Sequence, residues 1–172
     1  MEEKPIIVDG ILLNPTTTFE KMKGCKKKVN SFKKLAKEYP DGGTVLISNA
    51  TVVKMKDGYQ VSFMRPPWEI RFTLKEYDEI CNYIMKKTGS RLFAGFWSGD
   101  GKNDLGGVEP SFWSRDKSVA LEIAQLFNQK SIFDWEALYN GEEFTEVFNP
   151  FFDDSSPKLD KKAILKKIRE DN

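Results

Sequence analysis

The N-terminal half of the chain alternates between short apolar runs and turn dipeptides, which predicts β-hairpins. Apolar triplets flank Asp9-Gly10 and predict a small hairpin. Farther along, β-branched runs precede Asp57-Gly58 and an alternating run follows it, so we expect those two segments to pair as a main hairpin. Between the two hairpins, apolar residues at three- and four-residue spacings up to Tyr39 predict an amphipathic helix rich in lysine.

Capping signals predict two helices in the middle of the chain. Thr73 as N-cap, Glu76 three residues later and Gly89 as the stop bound one helix. The stretch 91–135 reads as a ββαβ unit, whose helix begins at Ser114 or Asp116 and which ends in a short strand that includes Trp135.

The C-terminal segment predicts one more helix. Ser156 is its expected N-cap and Pro157 its first residue. Its expected apolar side contains Leu159, Ala163, Ile164 and Ile168, and its outer face is basic.

These elements predict an α+β fold: an antiparallel sheet built from two main β-hairpins, helices packed mainly on one face, and a basic C-terminal helix. We expect a single domain over residues 1–172, a length that can bury a core of its own. Its parts are the N-terminal hairpin and lysine-rich helix (1–43), the ββα units (44–135), and an acidic aromatic segment with the terminal helix (136–172).

The residue types in the chain limit the catalytic and metal-binding chemistry that it could perform. The chain has no histidine, which removes the commonest general base and metal ligand. Cys25 and Cys81 lie in predicted helices among apolar residues, so we expect reduced thiols. We therefore predict no catalytic residues, no metal site and no cofactor, and a protein that is not an enzyme. The alternative is a carboxylate enzyme with a bound metal that uses Glu142, Glu143 and Glu146.

Charge and hydropathy limit the partners. Apolar runs are far shorter than the roughly 20 residues that span a bilayer, so we expect a protein of the cytosol of the cell that makes it, with no membrane partner. The net charge of +1 argues against nucleic acid, whose binders usually carry a clear positive excess.

Two regions of opposite charge are candidate protein interfaces. The predicted first helix carries eight lysines between Lys21 and Lys37, and the stretch 131–157 has a charge of −7 and no basic residue. The many aromatic residues of that stretch predict packed irregular structure rather than a disordered tail. The candidate interface residues are Lys26, Lys27, Lys28, Trp135, Glu142, Glu143 and Glu146. The lysines could equally form the solvated side of their helix.

The basic terminal helix has three candidate contacts. It could pack on the acidic stretch of its own chain, on a second subunit or on a partner. A homodimer is therefore one alternative.

A second candidate site would take an anionic ligand of the nucleotide type. Trp68 lies between Arg65 and Arg71 on a proline-rich loop, which suits stacking on a flat anionic ligand. Arg115 precedes a helix N-terminus, and Lys102 lies in a glycine-rich loop that lacks the P-loop and EF-hand patterns. The alternative for Trp68 is packing against the core.

The segment EPSFWSRDKSVALEIAQLFNQKSIFDWEALYNGEEF, residues 109–144, resembles small accessory proteins of unassigned activity carried by bacteriophages and mobile elements. The shared pattern is DxxxALxxAxxxNQ followed by xxIxD and then GEE. The resemblance implies an anti-defence role, by occluding a host defence protein or by sequestering a nucleotide messenger.

We therefore predict a non-enzymatic binding protein that blocks a host protein by direct contact. Sequestration of a nucleotide-type signalling ligand is the alternative, and the carboxylate enzyme is the third hypothesis.

Overall fold

The computed structural model describes residues 6–8, 11–13, 39, 42–46, 51–63, 72–97, 107–153 and 160–172. The chain divides into two compact units, one formed by Met1–Val53 with Leu92–Ser111 and the other by Lys54–Arg91 with Phe112–Asn172. The predicted α+β fold with antiparallel strands is confirmed. The single domain stays a prediction.

The described residues form nine strands and four helices. The strands are β1 (Ile6–Val8), β2 (Ile11–Leu13), β3 (Gly43–Leu46), β4 (Thr51–Val53), β5 (Tyr59–Ser62), β6 (Phe93–Trp97), β7 (Gly107–Ser114), β8 (Ser131–Asp134) and β9 (Glu146–Phe148). The helices are α1 (Leu74–Thr88), α2 (Lys117–Leu126), α3 (Trp135–Tyr139) and α4 (Lys161–Glu170). In the described part of the chain, no helix is long and apolar enough to cross a membrane.

The first unit contains two sets of antiparallel strands. β1 pairs with β2, which confirms the strands of the N-terminal hairpin, while its turn lies outside the described residues. β4, β3, β6 and the start of β7 are adjacent in that order. Val45 and Phe96 are buried, and the ring of Phe96 lies so close to Gly43 that a Cβ there would be 2.6 Å from Cζ. A side chain at position 43 would therefore displace the ring.

The predicted hairpin around Asp57-Gly58 is wrong. β4, before the turn, pairs with β3, and β5, after the turn, pairs antiparallel with β8 through Tyr59 and Asp134. Gly58 does adopt a left-handed φ of 80°, so the turn itself forms. Local turn chemistry predicted the change of direction but not the partners of the two strands.

The core of the second unit is aromatic. α2 packs on β5 and β8. The Phe63 ring is stacked on Phe112 at a centroid distance of 6.0 Å and tilted against Phe127 at 5.1 Å, and all three side chains are fully buried. In this unit β8 lies between β5 and β9 and pairs antiparallel with both.

The capping signals of α1 and α2 are confirmed. Thr73 Oγ1 accepts from the Glu76 amide, the Glu76 carboxylate accepts from the Thr73 amide, and Gly89 ends α1 with a left-handed φ of 68°. Asp116 is the N-cap of α2, one of the two predicted candidates. Cys81 is buried and its sulfur is not in a disulfide, and Cys25 lies outside the described residues, as does the predicted lysine-rich helix up to Glu38.

The terminal helix differs from its prediction in its start and in its contact. α4 begins at Lys161 with Asp160 as N-cap rather than Ser156. Its buried residues are Ile164, Leu165 and Ile168, whereas Ala163 is exposed and Leu159 lies outside the described residues.

α4 packs on α1, which was not among the three predicted contacts of this helix. Arg169 donates twice to the Glu79 carboxylate, at 2.7 and 3.1 Å, and Lys161 pairs with Glu76 at 2.6 Å. Only part of α4 is basic, from Lys161 to Arg169, and two of its charges are used in these contacts.

Candidate protein-interaction surface

The segment after β8 is anchored by Trp135. Its amide donates to the Gly58 carbonyl at 3.0 Å, and its indole Nε1 donates to Gln60 Oε1 at 3.0 Å. The ring also meets Phe133 edge-on at 5.0 Å. Trp135 is 4% exposed, so its predicted place in a protein interface is wrong, and its side chain fixes the start of α3 instead.

α3 is a short helix with defined ends. Asp134 is its N-cap and accepts from the Ala137 amide at 3.1 Å. At its C-terminus the Glu142 amide donates to the Ala137 carbonyl and the Gly141 amide to that of Leu138, a Schellman motif that requires the observed φ of 70° at Gly141. The chain thus leaves α3 in a fixed direction.

The chain beyond β9 is held by two asparagines. Asn149, fully buried, donates from its side chain to the Gln129 carbonyl and accepts from the Phe151 amide at 3.0 Å. Asn128 binds both the amide and the carbonyl of Asp153, each at 2.9 Å. These bonds close the turn after β9 onto the end of α2.

Four aromatic side chains of this ordered segment point into solvent. Tyr139 is 62% exposed, Phe144 79%, Phe148 58% and Phe151 64%. The predicted packing of this stretch is therefore wrong for these residues: the backbone is ordered, but the rings are not buried. We call Tyr139, Phe144, Phe148 and Phe151, together with Glu142, Glu143 and Glu146, the acidic aromatic surface.

The charges of this surface are uncompensated by described residues. Glu142, Glu143 and Glu146 are exposed, and none forms a salt bridge within the part of the chain that the structure describes; their place in an interface stays a prediction. The negative field of Asp134 and Glu136, which precede this surface in the chain, acts on Tyr59 of β5, whose pKa is raised by burial first and then by these two charges. Such a field repels nucleotides, nucleic acid and anionic lipid.

One basic group lies close to this surface. The Lys56 Nζ lies over the ring of Tyr139, 5.9 Å from its centroid. The exposed aromatic face therefore already attracts a cation from its own chain.

Of the five residues predicted to form the anion site, the structure describes only Arg115. Arg115 is exposed, and its guanidinium lies 5.9 Å from the ring centroid of Trp113. The adjacent N-terminus of α2 is occupied by its own cap, because the Asp116 carboxylate accepts from the Ser118 amide at 2.8 Å and from its hydroxyl at 2.7 Å. Those bonds hold the pKa of Asp116 below its ordinary range. An anion would meet this carboxylate instead of free N–H groups.

The other predicted site residues lie outside the described residues. They are Lys26, Lys27, Lys28, Arg65, Trp68, Arg71 and Lys102. Their roles stay predictions.

Sequence reasoning missed α3, β9 and the role of Asn149. Two local signals point to them: Asp134 before Trp135 is an N-cap pattern with Gly141 as the stop, and Asn149-Pro150 is a turn-initiating pair. β9 has only three residues, too few for an alternating pattern to identify.

No group of three or more acidic or cysteine side chains that could hold a metal ion occurs among the described residues. Comparison with protein-family models, curated proteins and solved structures finds no match.

Proposed function

We propose that this protein binds another protein through its acidic aromatic surface. The observation that carries the proposal is the exposure of four aromatic side chains between Tyr139 and Phe151, in a stretch whose only charged residues are acidic. Exposed apolar patches rimmed by polar groups mark interaction sites, and aromatic residues dominate binding energy at protein interfaces.

The rigid backbone beneath these rings supports the same proposal. Trp135 and Asn149 are buried and hydrogen-bonded on either side of the exposed stretch. A surface that is already ordered loses less conformational entropy when it binds. The acidic groups would add faster association with a basic partner and discrimination against acidic ones.

The resemblance to phage and mobile-element accessory proteins extends the proposal to the target. On that basis the partner is a host protein, one that acts in defence, and binding blocks it in the cytosol without catalysis. Sequestration of a nucleotide through Arg115 and the loop residues, and carboxylate chemistry at Glu142, Glu143 and Glu146, stay predictions that no described contact favours.

Partner capture with matched variants tests the proposal. The protein is immobilised and exposed to lysate of the cell that carries its gene, and bound proteins are identified by mass spectrometry. Phe144→Ser with Phe151→Ser removes two exposed rings and should weaken binding by about tenfold or more, because interface aromatics are typically worth more than 1 kcal/mol each.

The control is Tyr39→Ser, which removes an exposed aromatic residue outside the surface and should leave binding unchanged. For the charges, Glu142→Lys with Glu143→Lys should slow association and reduce its salt dependence, whereas Glu170→Lys on α4 should not. A partner retained equally by all variants would show that binding uses another surface. A nucleotide released from the purified protein, with no protein captured, would favour the alternative.

A further inference from the structure

β9 is the outermost strand of its unit, and half of its backbone groups point away from β8. In the order β5, β8, β9, no described strand lies beyond β9. The Asp134 amide donates to the Thr145 carbonyl at 2.7 Å and the Asn149 amide to the Lys130 carbonyl at 2.9 Å, which fixes the phase of the antiparallel ladder.

This phase identifies the outward groups. Residues 145, 147 and 149 face β8 with their N–H and C=O groups, so those of Glu146 and Phe148 point outward. An exposed row of unpaired N–H and C=O groups is a template for another strand.

The side chains on β9 give this edge a chemical character. Val147 shares a face with its buried partner Ile132, so Glu146 and Phe148 project together from the opposite face. One position is acidic and the next on that face is aromatic, and both are exposed. A strand added to β9 would meet this pair directly.

A second copy of the chain fits this edge poorly. Antiparallel pairing of β9 with itself would oppose two identical acidic stretches, which contain no basic residue from Trp135 to Asp153. Like charges facing each other across strands are destabilising, and charged residues on short edge strands are a common barrier to self-association. Of the basic residues of α4, Lys161 and Arg169 are already paired with carboxylates of α1.

We infer that the protein partner adds an extended, lysine- or arginine-bearing segment antiparallel to the outer edge of β9. Main-chain hydrogen bonds to Glu146 and Phe148 would provide affinity, and the side chains opposite them would provide specificity. The residue opposite Glu146 is basic and the one opposite Phe148 is apolar. Because the added strand is antiparallel, the segment reads apolar–x–basic from its N-terminus. The inference rests on the proposed function and specifies its mode of binding.

A synthetic peptide tests the inference directly. The probe is the acetylated and amidated peptide Ile-Thr-Lys-Thr-Ile-Thr-Lys, compared with the same peptide carrying glutamate for lysine. In the free protein the amides of Val147 and Asn149, which face β8, should exchange with deuterium slowly and those of Glu146 and Phe148 quickly. The lysine peptide should slow exchange at Glu146 and Phe148, and the glutamate peptide should not.

Two substitutions of Glu146 distinguish the contribution of its backbone N–H to peptide binding from that of its side chain. Glu146→Pro removes an outward N–H and leaves the bonds to β8, a position where an edge strand tolerates proline. It should weaken peptide binding by about tenfold or more, on the order of the loss of a hydrogen bond plus steric blocking. Glu146→Gln, which keeps the N–H and removes the charge, should weaken it by less than about fivefold. Should Glu146→Pro fail to fold, a probe N-methylated at the amides that face β9 makes the same comparison.

Four outcomes would overturn strand addition. They are slow exchange at Glu146 and Phe148 in the free protein, absence of peptide binding, equal binding by Glu146→Pro and wild type, and equal binding of the N-methylated probe. None of them decides the proposed function. A partner that is captured by wild type and lost with Phe144→Ser and Phe151→Ser would keep that function, with side-chain contacts as its mode.

Discussion

Replacing Gly58 with alanine should destabilise the protein more than the same change at a matched exposed glycine. Gly58 has a φ of 80°, and a Cβ there would lie 2.5 Å from Cε2 and 2.6 Å from Cζ2 of Trp113. The indole of Trp113 is held in place by a 2.9 Å hydrogen bond from Nε1 to the Asp57 carbonyl. Gly141 has a similar φ of 70°, but nothing lies within 4 Å of the Cβ position.

The comparison separates two costs. Gly141→Ala imposes only the left-handed conformation, about 1–2 kcal/mol. Gly58→Ala adds displacement of the indole, about 1–3 kcal/mol for overpacking, and loss of its hydrogen bond, about 0.5–1.5 kcal/mol. We therefore expect Gly58→Ala to lower the free energy of unfolding by about 2–4 kcal/mol more than Gly141→Ala, a large part of the 5–15 kcal/mol that holds a typical domain folded.

Urea unfolding followed by far-UV circular dichroism measures both changes without depending on tryptophan fluorescence. The decisive step is to repeat Gly58→Ala in a Trp113→Ala background, where the added methyl group has no ring to displace. Its cost should then fall to that of Gly141→Ala. Equal losses for the two single variants, or an unchanged cost in the Trp113→Ala background, would refute the contact as the cause.

Two further predictions concern the contacts that hold α4 and the turn after β9. The Arg169 guanidinium holds the pKa of Glu79 below its ordinary range; burial would raise that of Glu76, but hydrogen bonds from Lys161 and Thr73 outweigh it and lower the pKa. Both carboxylates therefore stabilise the fold at a pH above the ordinary carboxyl pKa, and this stabilisation is lost as the pH falls through their lowered pKa values. The free energy of unfolding thus decreases toward acid pH, a decrease that we call the acid limb. Glu79→Gln should make the acid limb less steep. Asn149→Ala should cost about 1–3 kcal/mol, because buried groups lose their partners, and should speed amide exchange at Phe151.

Exposed residues of the same types provide the controls. Glu170→Gln lies on the outer side of α4 and should leave the acid limb unchanged. Asn140→Ala lies at the exposed end of α3 and should change stability by less than about 0.5 kcal/mol. An acid limb that survives Glu79→Gln, or an Asn149→Ala variant as stable as Asn140→Ala, would contradict the assigned roles.

The parts of the fold that sequence reasoning recovered are local. The bounds of α1 follow from Thr73, Glu76 and Gly89, which lie within the helix or next to it, and Asp116 caps α2 for the same reason. Strand pairing depends instead on residues far apart in the chain: Tyr59 pairs with Asp134, and no local pattern carries that information. The hairpin assigned to Asp57-Gly58 failed because a tight turn is compatible with several partners for the strand that follows it.

The acidic residues of the candidate site could be predicted from the sequence, whereas the exposure of its aromatic residues could not. A run of acidic residues is exposed in almost any fold, so Glu142, Glu143 and Glu146 could be placed on the surface from composition. An aromatic residue in the sequence reads as core, and Trp135 and Phe148 look alike in that respect. Only the structure separates them: Trp135 is 4% exposed and Phe148 58%.

The hydrogen bonding around the exposed rings bears on why they are exposed. If the stretch were simply unable to pack, its backbone and side-chain amide groups would be expected to bond to water rather than to other groups of the protein. Instead Asn149 is fully buried and hydrogen-bonded, and the Gly141 turn satisfies the end of α3. The polar groups are inside with partners while Phe144 and Phe151 remain outside. An arrangement that orders the backbone and leaves its largest apolar side chains in water supports the proposal that a partner covers them.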